Sequence, residues 1–272
     1  MKGNDFMKLK VNSKYKGRDI TVYVVLRFFV IITMIVQLFR GNYENVFMCI
    51  LTLFLFMIPS IIDKRLNITL PNALETIIFL FIFSAEILGE VQNFYGIFKH
   101  WDTMLHTING FLCAAIGFSL IDILNRSEKF HTKMTPISVA LVAFCFSMTV
   151  GVLWEFFEFG MDTVFNTDMQ KDRVVQTISS VTLNPEGKNK PVTVKNIDRT
   201  TIYYQENGEG KEITIVDGYL DVGIRDTMKD LFVNFIGAVV FSIIGWMYIK
   251  DRDEYKFAEK FMPKIRKREN KV

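Results

Sequence analysis

Six stretches of this chain are apolar for long enough to cross a lipid bilayer, and that leaves few folds open to it. A hydrocarbon core roughly 30 Å thick takes about 20 helical residues at about 1.5 Å each. The stretches run from Ile20 to Phe39, Val46 to Ile62, Ala73 to Val91, Asp102 to Leu124, Ile137 to Phe159 and Asp226 to Ile249. Inside a bilayer each must satisfy its own backbone polar groups, which dictates helices. With 50% hydrophobic residues and 26 Phe, the composition agrees. The expected fold is an all-α polytopic membrane bundle of six transmembrane helices.

The basic segment MKGNDFMKLKVNSKYKGR ahead of the first stretch invites a signal-peptide reading. The apolar run that follows is about 20 residues, longer than a signal core, and ends in LFRGNYEN without a small-residue cleavage site. A retained helix is expected. Cys49, Cys113 and Cys145 all fall inside predicted spans and lack C-x-x-C spacing, so neither a disulfide framework nor a zinc knuckle follows. They read as small apolar packing residues.

Lys and Arg collect in cytoplasmic loops, so orientation can be counted. One side holds Lys2, Lys8, Lys10, Lys14, Lys16 and Arg18, then Lys64 and Arg65, then Arg126, Lys129 and Lys133, then nine beyond Ile249. The other side holds Arg40, Lys99 and eight in one long connection, and long connections weigh little in this rule. Both termini are expected in the cytoplasm. The organisation is then a cytoplasmic basic tail (1–19), helices one to five (20–165), an extracytoplasmic insertion (166–223), helix six (224–249) and a second cytoplasmic basic tail (250–272). That last tail reads as solvated, with docking on anionic head groups as the alternative.

The insertion is of a different kind. VTLNPEGKNKPVTVKNIDRTTIYYQENGEGKEITIVDG alternates apolar with polar residues and is punctuated by NPEG and ENGEG, a β-rich pattern in which TTIYYQ and KEITIV pair as a hairpin. About 55 residues give little independent core, so it is expected to lean on the membrane portion.

Several spans carry ionisable groups at helical spacing, and these are costly in a membrane unless they serve a purpose. Asp102 and His106 stand four apart; Glu155, Glu158 and Asp162 share one face; Asp226, Asp230 and Asn234 share another; Glu86 and Glu90 stand four apart. On the counted topology all lie toward the outer surface, Asn234 deepest at about 12 Å on its helix. Asp102 and Asp226, each taken alone, are also explained as helix N-terminal residues that complement the macrodipole. Glu155, Glu158 and Asp162 come late in an outward-running helix, where the dipole disfavours negative charge. Glu86 and Glu90 fail that explanation too, although snorkelling to the surface would serve them. Asn234 also reads as a polar bridge between helices. So many carboxylates need bound cations or shared protons. Asp102, His106, Glu155, Glu158, Asp226 and Asp230 are the candidate ligands of a divalent metal ion, with Asp162, Asn234, Glu86 and Glu90 around them. Carboxylates suit Mg, Mn or Ca, and the imidazole extends the choice to Zn or Fe. Gly110, Ala114, Gly151, Gly237 and Ala238 would let the helices approach closely.

The order D-x-x-x-H-x-x-x-G at Asp102, His106 and Gly110, then W-E-x-x-E at Trp154, Glu155 and Glu158, then G-Y-L-D-V-G-x-x-D-T-x-x-D from Gly218 to Asp230 resembles the YjdF-type family of bacterial inner-membrane proteins. Asp230, Asn234 and Gly237 also match a late D-x-x-x-N-x-x-G pattern, a looser similarity to VanZ-like membrane proteins, whose usual glutamate-glutamine signature has no clear counterpart here. The resemblance implies a bacterial plasma membrane location and a role at the cell envelope. The residues then admit three readings. A metal-dependent enzyme would act on a lipid-linked envelope substrate, although neither H-E-x-x-H nor a phosphate-cradling glycine loop occurs. A proton- or cation-coupled transporter would relay charge through the acids, although the inner half offers only Glu75 and Asp122 and no inverted repeat is evident. A non-catalytic binding or accessory protein would use the metal for stability alone. In each the expected partner is membrane lipid and not nucleic acid.

Overall fold

The computed structural model describes residues 20–65, 68–126 and 134–265. The N-terminal tail, Lys129 and Lys133 of the fourth connection and residues 266–272 lie outside them.

Helix α1 (Ile20–Phe39) has the bounds of the first predicted span. It ends where Gly41 takes a left-handed φ of 72°. The Asn42 N–H then reaches the Gln37 carbonyl at 3.1 Å and the Gly41 N–H the Leu38 carbonyl at 3.1 Å, a glycine-ended helix stop. Asn42 caps α2 (Tyr43–Leu55) by accepting the Asn45 N–H at 3.2 Å. The second span is not one straight helix. Pro59 cannot donate to the preceding turn, and the chain turns at Phe56 and Met57 before α3 (Ile58–Arg65).

A short strand β1 (Ile68–Thr69) leads to α4 (Asn72–Ile82), which continues as a π-helix over Phe83–Val91. The widened turns end beside Gly89, where a Cβ would sit 2.4 Å from the Tyr95 ring. Trp101 donates its indole N–H to the Ser84 carbonyl at 3.2 Å. Beyond α5 (Phe94–Ile97) come the long helices α6 (Trp101–Arg126) and α7 (Pro136–Phe165). Strands β2 (Arg173–Val175), β3 (Thr177–Ser180), β4 (Val192–Lys195), β5 (Arg199–Glu206), β6 (Glu209–Val216) and β7 (Tyr219–Asp221) precede α8 (Ile224–Lys250). A 3-10 helix (Lys256–Phe261) and β8 (Lys264–Ile265) close the described chain.

The protein is thus mostly helical, and among the described residues five helices are long and apolar enough to cross a membrane: Thr21–Phe39, Tyr43–Arg65, Trp101–Asn125, Pro136–Phe165 and Ile224–Lys250. Six were expected. The difference is the Ala73 to Val91 segment, which is helical throughout but changes from α to π halfway. Large apolar side chains stay exposed along these helices, Phe28 at 60% and Phe29 at 51% among them. Such a surface suits lipid better than water.

Two compact units divide the chain, Met1–Thr149 with Val233–Val272 and Val150–Phe232. In the first, Tyr23 and Phe56 pack on Phe79 while Leu26, Val30, Cys49 and Ile87 fill the space around them. A second core joins Ala114, Ala115 and Phe118 of α6 to Val139 and Ala143 of α7 and Ala238 and Phe241 of α8. Helices α6 and α8 touch backbone to backbone. A Cβ on Gly110 would lie 2.0 Å from the Asn234 carbonyl oxygen, and one on Gly237 would lie 2.0 Å from that of Thr107. The segment after α8 is not a free tail: Ala258 and Met262 enter the same core, β8 pairs antiparallel with β1, and Arg252 holds Asp122 at 2.9 Å.

In the second unit β2 pairs with β7, β3 with β4, and β5 with β6, all antiparallel. The β5–β6 ribbon is the hairpin read from TTIYYQ and KEITIV. Its two-residue turn places Asn207 at φ 53° and Gly208 at φ 83°, the left-handed pair that matches strand twist.

Candidate metal centre

The first turn of α6 carries Asp102, and one turn on, the His106 Nε2 lies 3.3 Å from its Oδ1. One turn further along α6, Asn109 donates its side-chain amide to the Asn234 Oδ1 of α8 at 3.0 Å. Asn234 is 1% exposed and donates its own amide to the Met148 sulfur at 3.6 Å, while the Cys113 thiol donates to the Asn109 Oδ1 at 3.4 Å. Ser147 adds a bond to the Gly110 carbonyl at 2.8 Å. This polar layer fixes the rotation of α8 on α6. Asp230 stands one turn before Asn234 on the same helix face.

Asp102, His106 and Asp230 form a group able to hold a metal ion: one ligand atom from each lies within 4.8 Å of the other two. Ligands sharing one ion at about 2.1 Å are at most about 4.2 Å apart, so small side-chain rotations would close the set. Two carboxylates and an imidazole are a hard-to-borderline donor set, compatible with Zn, Fe or Mn. The 3.3 Å approach of the Asp102 Oδ1 to the His106 Nε2 puts these two candidate ligands side by side on one helix face. Lys229 competes for the acids, with its Nζ 3.1 Å from the Asp230 Oδ1 and 3.5 Å from the Asp226 Oδ1.

The other predicted site residues have surroundings of their own. Asp226, 4% exposed, accepts from the Arg173 guanidinium at 2.8 Å and the Lys171 N–H at 3.0 Å, so its charge anchors the segment around β2. Asp162 accepts from the Thr167 hydroxyl at 2.7 Å, the Met169 N–H at 2.7 Å and the Gln170 N–H at 2.8 Å. Those donors outweigh the adverse dipole near the end of α7. Beyond it, burial and then the Asp168, Asp162 and Asp221 carboxylates push the Asp172 carboxyl above its ordinary range, against a smaller opposite pull from Lys171. Glu158 accepts the Trp154 indole N–H at 2.7 Å. Glu155 is buried, and Glu86 is buried in the π-helix with Glu90 half-buried one turn on.

Sequence reasoning missed Asn109 and Lys229. Both carried a signal. Asn109 is a polar residue three after His106 inside an apolar run, and Lys229 is a cation between two acids on the first turns of α8.

The model of the family described as "Predicted membrane protein (DUF2238)" matches residues 21–251, and the chain belongs to that family. The match is consistent with the YjdF-type resemblance and leaves the VanZ-like similarity as one of motifs alone. The chain is 26% identical over 117 residues to an uncharacterized protein of Thermotoga maritima, which covers 42% of this chain and 58% of that relative. No solved structure matches the chain.

Proposed function

We propose that this member of the DUF2238 family binds a divalent metal ion through Asp102, His106 and Asp230, at the outer end of a bundle in the bacterial plasma membrane. The observation that carries the reading is the approach of three ligand atoms, from two carboxylates and one imidazole, to within 4.8 Å of one another. On this reading the α4 and π-helical segment is the sixth span, both termini face the cytoplasm, and residues 166–223 lie outside.

Bound there, a divalent ion would lower the pKa of water and stabilise charge on a phosphoryl or acyl group. Asp102 and His106 would offer adjacent ligand atoms from one face of α6, and Asp230 balances charge against Lys229. The site opens on the membrane's outer layer, so a lipid-linked envelope substrate is the class it would serve. The Lys229 contact favours a second reading, in which a carboxylate–lysine network without metal relays protons or recognises a cationic ligand.

Elemental mass spectrometry on detergent-purified wild type, His106→Ala and Asp230→Asn separates the two. Near-stoichiometric metal in the wild type and its loss in both variants is the expected result. A wild type without metal even after supplementation overturns the metal reading and leaves the ion-paired network.

A further inference from the structure

We propose that a cavity at the opposite end of the first unit binds the head group of an anionic phospholipid. Thr69, Leu70 and Pro71, which lead from β1 into α4, face Lys256, Phe257, Glu259 and Lys260 of the 3-10 helix across a space of about 610 Å³. That falls within the roughly 300–1,000 Å³ of small-molecule sites.

Both walls are held from behind. Thr69 pairs with Lys264 in the β1–β8 ladder, Leu70 is buried against Leu74 and Leu112, and Ala258 and Met262 pin the 3-10 helix into the main core. The 3-10 wall follows the end of α8 at Lys250 in the chain, and Tyr248 near that end reaches Glu259 of the wall. Lys250 stacks on the Trp246 ring at 3.9 Å. Aromatic and basic residues gathered at a helix end mark a membrane boundary, so the cavity sits at head-group depth.

Its charge is suited to phosphate. Lys256 and Lys260 are exposed and make no ion pair among the described residues. The lining carboxylate, Glu259, accepts from the Tyr248 hydroxyl at 3.3 Å, and Asp122 of α6 pairs with Arg252 at 2.9 Å. Lys256 and Lys260 line the cavity together with Leu70, Pro71 and Phe257, the last 49% exposed. Phosphate oxygens take the lysines and the first acyl carbons take the apolar wall. Lysines placed at the membrane surface attract anionic head groups.

The test uses the full-length chain, delipidated in detergent and titrated with palmitoyl-oleoyl-phosphatidylglycerol or its phosphatidylcholine counterpart while native mass spectrometry counts retained lipid. Phosphatidylglycerol should be retained over phosphatidylcholine. The Lys256→Gln/Lys260→Gln variant should bind it roughly 30-fold more weakly, at about fivefold per lysine, and Lys256→Arg/Lys260→Arg should restore it. Equal retention of the two lipids by the wild type overturns the proposal, as does undiminished phosphatidylglycerol on the Gln variant. Displacement by inorganic phosphate overturns the lipid as ligand and leaves a free-anion site. Should the Gln variant fail to fold, the wild-type lipid preference and the Arg variant decide.

Discussion

Asn109 on α6 donates its side-chain amide to the Asn234 side-chain Oδ1 on α8 at 3.0 Å, one turn below the acid–histidine group. Asn234 is nearly fully buried and also reaches the Met148 sulfur, so neither residue can be truncated without stranding the other. A double-mutant cycle of Asn109→Ala and Asn234→Ala, read by unfolding in detergent, should give a coupling of about 0.6 kcal/mol and no more than about 1.7 kcal/mol. Strictly additive losses would mean that the bond contributes nothing to holding α8 on α6.

Glycine packing gives a sharper contrast. A methyl on Gly110 would meet the Asn234 carbonyl at 2.0 Å, whereas one on Gly160 meets nothing within 4 Å. Gly110→Ala must push α8 away and should cost about 1–3 kcal/mol, whereas Gly160→Ala should stabilise α7 by about 0.5–1 kcal/mol. Thermal unfolding of the two variants side by side checks the pair. A tolerated Gly110→Ala would deny the backbone contact.

Asp172 gives a pH dependence outside the membrane segments. Its carboxyl is raised in the folded chain above the ordinary 3.8, so its favourable contribution is present below about pH 3.8 and lost as pH rises through the folded value. At neutral pH the ionised group is a net cost among Asp168, Asp162 and Asp221. Asp172→Asn should therefore slow hydrogen exchange in residues 166–223 of the full chain at pH 7, slightly because the group is exposed. The gain should vanish near pH 3.5. Equal protection of both proteins at pH 7 would refute this.

The membrane helices and the β-rich insertion were legible in the sequence because both rest on local periodicity. Apolar runs place α1, α6, α7 and α8 within a few residues, and the alternation around Asn207 and Gly208 gives the hairpin with its turn. Three features were not legible. The turn at Phe56 and Met57 depends on one proline, Pro59, inside an otherwise continuous apolar run. The π-helix over Phe83–Val91 accompanies the Gly89–Tyr95 contact and the Trp101 bond to Ser84, neither of them a periodic signal. The basic C-terminal segment read as solvated because its charges dominate, yet Ala258 and Met262 are the residues that dock it. At the site, spacing put Asp102 with His106, and helix faces put Asp230 with Asn234. Spacing could not show that Asp226 would meet Arg173 or that Asp162 would meet three donors, since those partners come from the insertion.

Orientation is the remaining prediction, and the hairpin offers the place to read it. Thr200 donates its hydroxyl to the Gly218 carbonyl at 2.8 Å, so a probe there would disturb the sheet. Tyr203 on β5 is 78% exposed. In a background with Cys49, Cys113 and Cys145 replaced, Tyr203→Cys should react with a membrane-impermeant thiol reagent added to intact cells, because the positive-inside count puts the insertion outside. Labelling only after the membrane is opened would reverse the orientation. The acid–histidine group would then lie at the cytoplasmic end, and an envelope substrate could no longer reach it from outside.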